Sequence, residues 1–113
     1  MARPLRGDVV LADLDPIRGH EQGGRRPALV VSNDYLNRSG AELLVAVPIT
    51  SKERKIRSHL RIDPPEGGLS KVSFIMCEQV RTLSFGRVFR IAGRVMPDTM
   101  AEVENRLRML LDL

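Results

Sequence analysis

A mainly β fold is predicted for this chain, a small and strongly bent barrel of about six strands followed by one C-terminal α-helix. Three observations predict it. Short apolar runs recur along the chain, several of them alternating with polar residues as half-buried strands do. Glycine, proline and asparagine punctuate the intervals between those runs. Only the last stretch changes to a helical period.

The elements follow in order. Val9 to Leu14 reads as a first strand, and a polar loop from Asp15 to Arg26 follows, whose Gly19, Gly23 and Gly24 suit a mobile flap. Pro27 opens a second strand, Ala28 to Ser32, and Asn33 to Gly40 reads as a turn or one short helix ended by glycine. Glu42 to Thr50 is a third strand. Its run Leu43-Leu44-Val45-Ala46-Val47 is apolar on both faces, as a covered central strand requires. A charged loop, Ser51 to Arg57, leads to an alternating strand over Ser58 to Asp63, and Pro64-Pro65-Glu66-Gly67-Gly68 turns the chain. Ser73 to Val80 and Arg87 to Ala92 are the remaining strands. In the terminal helix Met100, Val103, Leu107, Leu110 and Leu111 share one face, a core or dimer surface, and Asp98 is placed to cap its start.

With 113 residues the chain is expected to form one domain, 1–113. Its 42% hydrophobic and 28% charged residues are the composition of a soluble globular protein, and no run approaches the roughly 18 apolar residues of a membrane span. No secretory signal opens it, so a cytoplasmic location is expected. Cys77 is the single cysteine and sits in the apolar run Phe74-Ile75-Met76-Cys77, where a buried small hydrophobe is the ordinary reading. Widely spaced His20, His59 and Cys77 argue against a transition-metal site, so neither a metal nor a cofactor is expected.

The net charge is +4, and apart from Lys52, Lys55 and Lys71 every cation is arginine. A guanidinium holds phosphate through two hydrogen bonds and stacks on bases, so nucleic acid is the natural partner. The sharpest local signal is Gly19-His20-Glu21-Gln22-Gly23-Gly24-Arg25-Arg26-Pro27, which delivers two arginines at the mouth of a strand. The residue before a proline is held extended, so Arg26 projects from a rigid base while Arg25 is less constrained. Thr50 and Ser51, ending the third strand, offer hydroxyls to a phosphate oxygen, although both types are also common turn formers. His20 and His59 suggest a two-histidine acid–base pair, against which stands the frequency of bystander histidines on loops and strands. Glu78, Gln79 and Arg81 present polar groups on one strand face, which an ordinary exposed face would also do.

Taken together, Gly7-Asp8-Val9-Val10, Leu14-Asp15-Pro16, Gly19-His20-Glu21-Gln22, Arg26-Pro27-Ala28-Leu29-Val30-Val31-Ser32, Val47-Pro48-Ile49-Thr50-Ser51 and Glu78-Gln79-Val80-Arg81-Thr82 resemble the MazF/PemK family of toxin endoribonucleases, in the same order and nearly end to end. The resemblance implies an SH3-like barrel, a homodimer, metal-independent and sequence-selective cleavage of single-stranded mRNA, and neutralisation by a cognate antitoxin with an acidic, disordered tail. It implies contact with operator DNA only through the antitoxin complex. It puts the principal catalytic roles on Arg26 and Thr50, and RNA-holding roles on His20, Glu21, Gln22, Gln79 and Arg81, to which we add Arg25, Ser51 and His59. The Lys52 to Arg57 loop, where the family diverges, is expected to tune the sequence cut. Two rivals remain: a gyrase poison of the CcdB kind on the same barrel, which would have no use for Arg26 and Thr50, and an RNA-binding adaptor without activity.

Overall fold

The computed structural model describes residues 3–15, 19–21 and 24–113. Among them the elements run β1 (Asp8–Asp13), β2 (Arg25–Val30), α1 (Asp34–Asn37), β3 (Leu43–Thr50), β4 (His59–Ile62), β5 (Ser73–Met76), β6 (Arg81–Ser84), β7 (Val88–Arg94) and α2 (Pro97–Leu111). The predicted class, mainly β with a C-terminal helix, is the observed one. All the strand pairings are antiparallel and follow the order β4-β5-β3-β2-β1-β7, with β6 also on β3. The terminal strands β4 and β7 do not pair, so the sheet stays open where a barrel would close.

Strand β3 is the hub because both of its edges are used. One edge takes β2; the other takes β6 along Leu43 to Ala46 and then β5 at Ile49 and Thr50. Pro48, which has no N–H to offer a ladder, falls where that second edge passes from β6 to β5. Its two faces enter two apolar clusters. Val47 and Ile49 join Val9, Leu29, Ile75 and Val103 beneath α2, whereas Leu44 and Ala46 join Val10, Ala12, Val30, Leu83 and Val88. No residue of a helix belongs to the second cluster. Leu83 and Val88 come from opposite sides of the strand order, so the sheet must curl on itself to bury them. Register shifts between Val9 and Val10 and between Leu11 and Ala12, where β1 meets β7, supply bends of the kind that curling needs.

Four local expectations change. The strand expected over Ser73 to Val80 stops at Met76, because Cys77–Gln79 form a 3-10 turn, and the chain resumes as the unforeseen β6. Helix α1 ends at Arg38, before Gly40, with Asn33 capping its start by accepting the Leu36 N–H at 2.9 Å. Asp98 lies inside the first turn of α2 and does not cap it; Met96 is the cap residue. There the Glu66 carboxylate accepts the Met96 N–H at 3.0 Å and the Thr99 hydroxyl, tying the turn before β5 to the helix. The apolar stripe of α2 also divides. Met100, Val103 and Leu107 pack on the core, while Leu110 and Leu111 are exposed with Met109 and Leu113. Cys77 is fully buried as expected, and burial pushes its thiol up to about 11, which removes it as a nucleophile near neutrality.

The turn at Gly67 and Gly68 crosses β7 almost backbone to backbone. A Cβ at Gly93 would lie 2.5 Å from the Gly67 carbonyl carbon, and one at Gly68 would lie 2.0 Å from the Ala92 oxygen. This crossing fixes the loop that leads into β5. Gly93→Ala is therefore expected to cost about 2 kcal/mol or more in urea unfolding. Gly40→Ala, with nothing within 4 Å, should stay within about 0.5 kcal/mol of wild type. Equal stability of the two variants would show that the crossing is not a constraint.

Candidate functional site

The β2–β3 ladder pairs Val30 with Ala46, Leu29 with Val47 and Ala28 with Pro48, and it ends there, next to Pro27. Carried two residues further, the same register sets Arg26 opposite Thr50. Beyond the last pair the strands part over a cleft of roughly 330 Å³ whose lining includes Arg26, Thr50, Ser51, Lys71 and Ser73. Arg26 is half-buried on its wall. Thr50 is only 4% exposed and its hydroxyl oxygen accepts the Lys52 N–H at 3.2 Å, so the hydroxyl proton remains for a donation outward. Ser51 is exposed beside it.

The opposite wall was not legible in the sequence. Thr50 pairs with Phe74, and this brings the preceding residues Ser70, Lys71 and Ser73 to the cleft. The Ser73 hydroxyl donates to the Lys71 carbonyl at 2.9 Å, and the glycine crossing holds the loop from the other side. Nothing around Ser70 and Lys71 marks them as site residues; only the path of β5 onto β3 does.

The other expected residues divide. Glu21, Gln79 and Arg81 line a second, smaller cleft together with Glu78. Gln79 donates to the His20 carbonyl at 3.4 Å and Arg81 to the Leu14 carbonyl at 3.1 Å, so both hold the segment between β1 and β2. Arg87 donates to the Asp13 and Asp15 carbonyls and adds to that anchorage. His20 is exposed; Gln22, with Pro16 and Gly23, lies outside the described residues. Arg25 is exposed and its guanidinium lies 4.4 Å above the Phe89 ring. His59 is not at either cleft surface. Its side chain is 3% exposed, and Nε2 meets the Glu78 carboxylate at 2.7 Å.

Glu78 also accepts the Ser58 hydroxyl at 2.5 Å, which ties the end of the 51–57 loop to the 3-10 turn. Burial alone would raise the Glu78 pKa, but hydrogen bonds from Ser58 and His59 outweigh it and hold the carboxyl below its ordinary 4.5. Among the described residues no group of three or more His, Cys, Asp or Glu side chains stands together as a metal site, and no helix is long and apolar enough to cross a membrane.

Fold and cleft define a class of protein: a small, basic, curled β-sheet whose cleft presents guanidinium, ammonium and hydroxyl groups, a donor set suited to phosphate. The chain belongs to the family described as PemK-like, MazF-like toxins of type II toxin–antitoxin systems, which it matches over residues 5–111. It is 39% identical to the endoribonuclease MazF of Staphylococcus saprophyticus over 110 residues, 96% of this chain and 91% of that one. Among solved structures, MazF from Deinococcus radiodurans superposes with a TM-score of 0.89 at 32% identity, covering all of both chains. A mycobacterial endoribonuclease in complex with its cognate antitoxin superposes with a TM-score of 0.78 at 28% identity, covering all of this chain and 97% of that one.

The tie at Glu78 has a definite pH signature. A carboxyl whose folded pKa is depressed stabilises the fold above its unfolded pKa and loses that contribution as pH falls through the folded value. The stability gap between wild type and Glu78→Gln should therefore be full at pH 7 and shrink below about pH 4.5. Urea titrations at pH 7 and pH 3.5 check this, and a gap that widens in acid would contradict it.

Proposed function

We propose that this chain is the toxin of a toxin–antitoxin pair and acts as an endoribonuclease on single-stranded mRNA, with Arg26 and Thr50 working on the scissile phosphate. The observation that carries the reading is their shared cleft, in a chain of this family with endoribonuclease relatives. RNA brings its own nucleophile. The 2′-oxygen attacks the adjacent phosphorus, the bond to the 5′-oxygen breaks, and a proton lost from the 2′-hydroxyl is matched by one gained at the 5′-oxygen. The products are a 2′,3′-cyclic phosphate and a 5′-hydroxyl. Arg26 neutralises charge growing on the phosphate, and Thr50 donates its hydroxyl to the same group.

Among the described residues lining that cleft none is a carboxylate or an imidazole. Arginine holds its proton too firmly to be a good base, so the 2′-hydroxyl proton passes to Glu21, His20 or the substrate's own groups. Single strands are the substrate because a base must be splayed out for the 2′-hydroxyl to align in line, which paired RNA resists. Sequence preference falls to the second cleft, with Glu21, Gln79 and Arg81, and to the exposed 51–57 loop. His20, Gln22, Arg25 and Ser51 extend the RNA contact, whereas the burial of His59 favours support of Glu78 over direct contact. The protein works in the cytoplasm as a homodimer, and the antitoxin's acidic tail covers the basic surface that RNA would use.

Arg26→Ala should lower single-turnover cleavage of a short RNA by about 100-fold or more with circular dichroism unchanged. Arg26→Lys should recover little, since an ammonium lacks the two-pronged contact. Wild-type cleavage by Arg26→Ala at saturating enzyme would remove Arg26 from the chemistry.

Cleavage should persist in excess chelator and leave the cyclic phosphate or its opened 3′-phosphate, read by mass spectrometry of the fragments. A strict divalent-ion requirement in the chemical step would overturn the mechanism.

A further inference from the structure

Phe89 is a large apolar side chain left 44% exposed on β7, and the Arg25 guanidinium lies above its ring at 4.4 Å. The two residues are separated by β1: Arg25 pairs with Asp13, while Ala12 pairs with Val88. Arg25 therefore reaches across a strand to the ring. It does so past the Asp13 carboxylate, which instead accepts the Asp15 N–H at 3.0 Å, and Arg25 makes no ion pair among the described residues. A guanidinium over an aromatic ring can stack on it, and a stacked guanidinium offers its other plane to a second flat partner. The same residue also lines the cleft of Arg26 and Thr50.

We propose that the Arg25–Phe89 pair is a subsite for one unpaired nucleobase flanking the scissile phosphate, which stacks on the outer plane of the Arg25 guanidinium while Phe89 backs it. The chemistry favours a base over a second phosphate. A phosphate would be served by a mobile arginine and gains nothing from an exposed ring, whereas a planar cation backed by a ring is a stacking surface that accepts any base. The other aromatic side chains are placed differently. Phe74 is buried in the sheet, Tyr35 is exposed with no guanidinium over its ring among the described residues, and Phe85 lies beneath an Arg3 guanidinium that is ion-paired with Glu42; of the two arginines over rings, only Arg25 also lines the Arg26–Thr50 cleft. Arg81, expected to hold RNA, has its guanidinium engaged with the Leu14 carbonyl. The subsite rests on the endoribonuclease reading and adds to it a contact with the base as well as the backbone.

The test is a binding series with a short RNA made uncleavable by a 2′-deoxy residue at the cut, and with the same RNA carrying a single abasic nucleotide at each flanking position in turn. Phe89→Leu keeps an apolar side chain at this exposed position and removes the ring; Arg25→Lys keeps the charge and removes the plane. Both should bind the intact RNA about tenfold more weakly than wild type. At one flanking position the abasic RNA should cost wild type about tenfold and cost either variant almost nothing further. Losses that multiply at every position, or Phe89→Leu binding as wild type does, overturn the subsite while wild-type cleavage of RNA leaves the enzyme reading intact. Absence of both binding and cleavage by wild type would overturn the two together.

Discussion

The pairing of β2 with β3 is the constraint on which the rest of this structure depends. Three bonded residue pairs fix the register, and the ladder stops where Pro27 has no N–H to contribute. One residue of slip would turn every side chain of β2 to the other face, moving Ala28 and Val30 into the cluster that Leu29 fills and carrying Arg26 away from its place opposite Thr50. Register is protected against this because both faces of β3 are buried, one beneath α2 and one inside the curl of the sheet. The apolar packing that makes β3 a hub thus also sets a guanidinium across from a hydroxyl at the strand ends.

The arginine excess is divided between holding the fold and facing the clefts. Arg6 bonds the Val31 carbonyl and Glu104, Arg94 pairs with Asp8 at 2.7 Å, and Arg81 and Arg87 bind carbonyls at the end of β1. These groups satisfy backbone oxygens or carboxylates, so a formal charge of +4 gives a poor count of what is available to a polyanion. Among the described residues the cations that line the main cleft are Arg25, Arg26 and Lys71. The exposed 51–57 loop adds more, anchored at one end by Thr50 and at the other by Glu78. The same tie makes Glu78 a link between that loop and the turn bearing Gln79.

Much of the architecture was legible because alternation and helical period are direct traces of burial. Strands β1, β2, β3, β4 and β7 and helix α2 fall where those periods put them, within a few residues. Strand β6 was hidden because Arg81-Thr82-Leu83-Ser84 buries only Leu83, so it carries no alternating apolar pattern. The Asp98 cap failed for a tertiary reason: Glu66, 30 residues from Met96, supplies the acceptor. At the site, Arg26 stood out through its proline neighbour and Thr50 through its place at a strand end. Lys71 and Phe89 did not, since each reaches its position through strand pairing that no local spacing encodes. His59 was misleading in the opposite way, because an alternating strand gave no sign that its imidazole turns inward under Glu78.

The claim that Arg26 and Thr50 act on one phosphate is tested most directly by a double-mutant cycle on single-turnover cleavage, using Arg26→Ala, Thr50→Val and the pair together at saturating enzyme. Groups that serve one charge in one transition state are not independent, so removing the second should cost little once the first is gone. The account predicts a double variant about as slow as the worse single variant. Losses that multiply in full would mean that the two residues act separately, and would contradict the shared cleft as the place where the chain is cut.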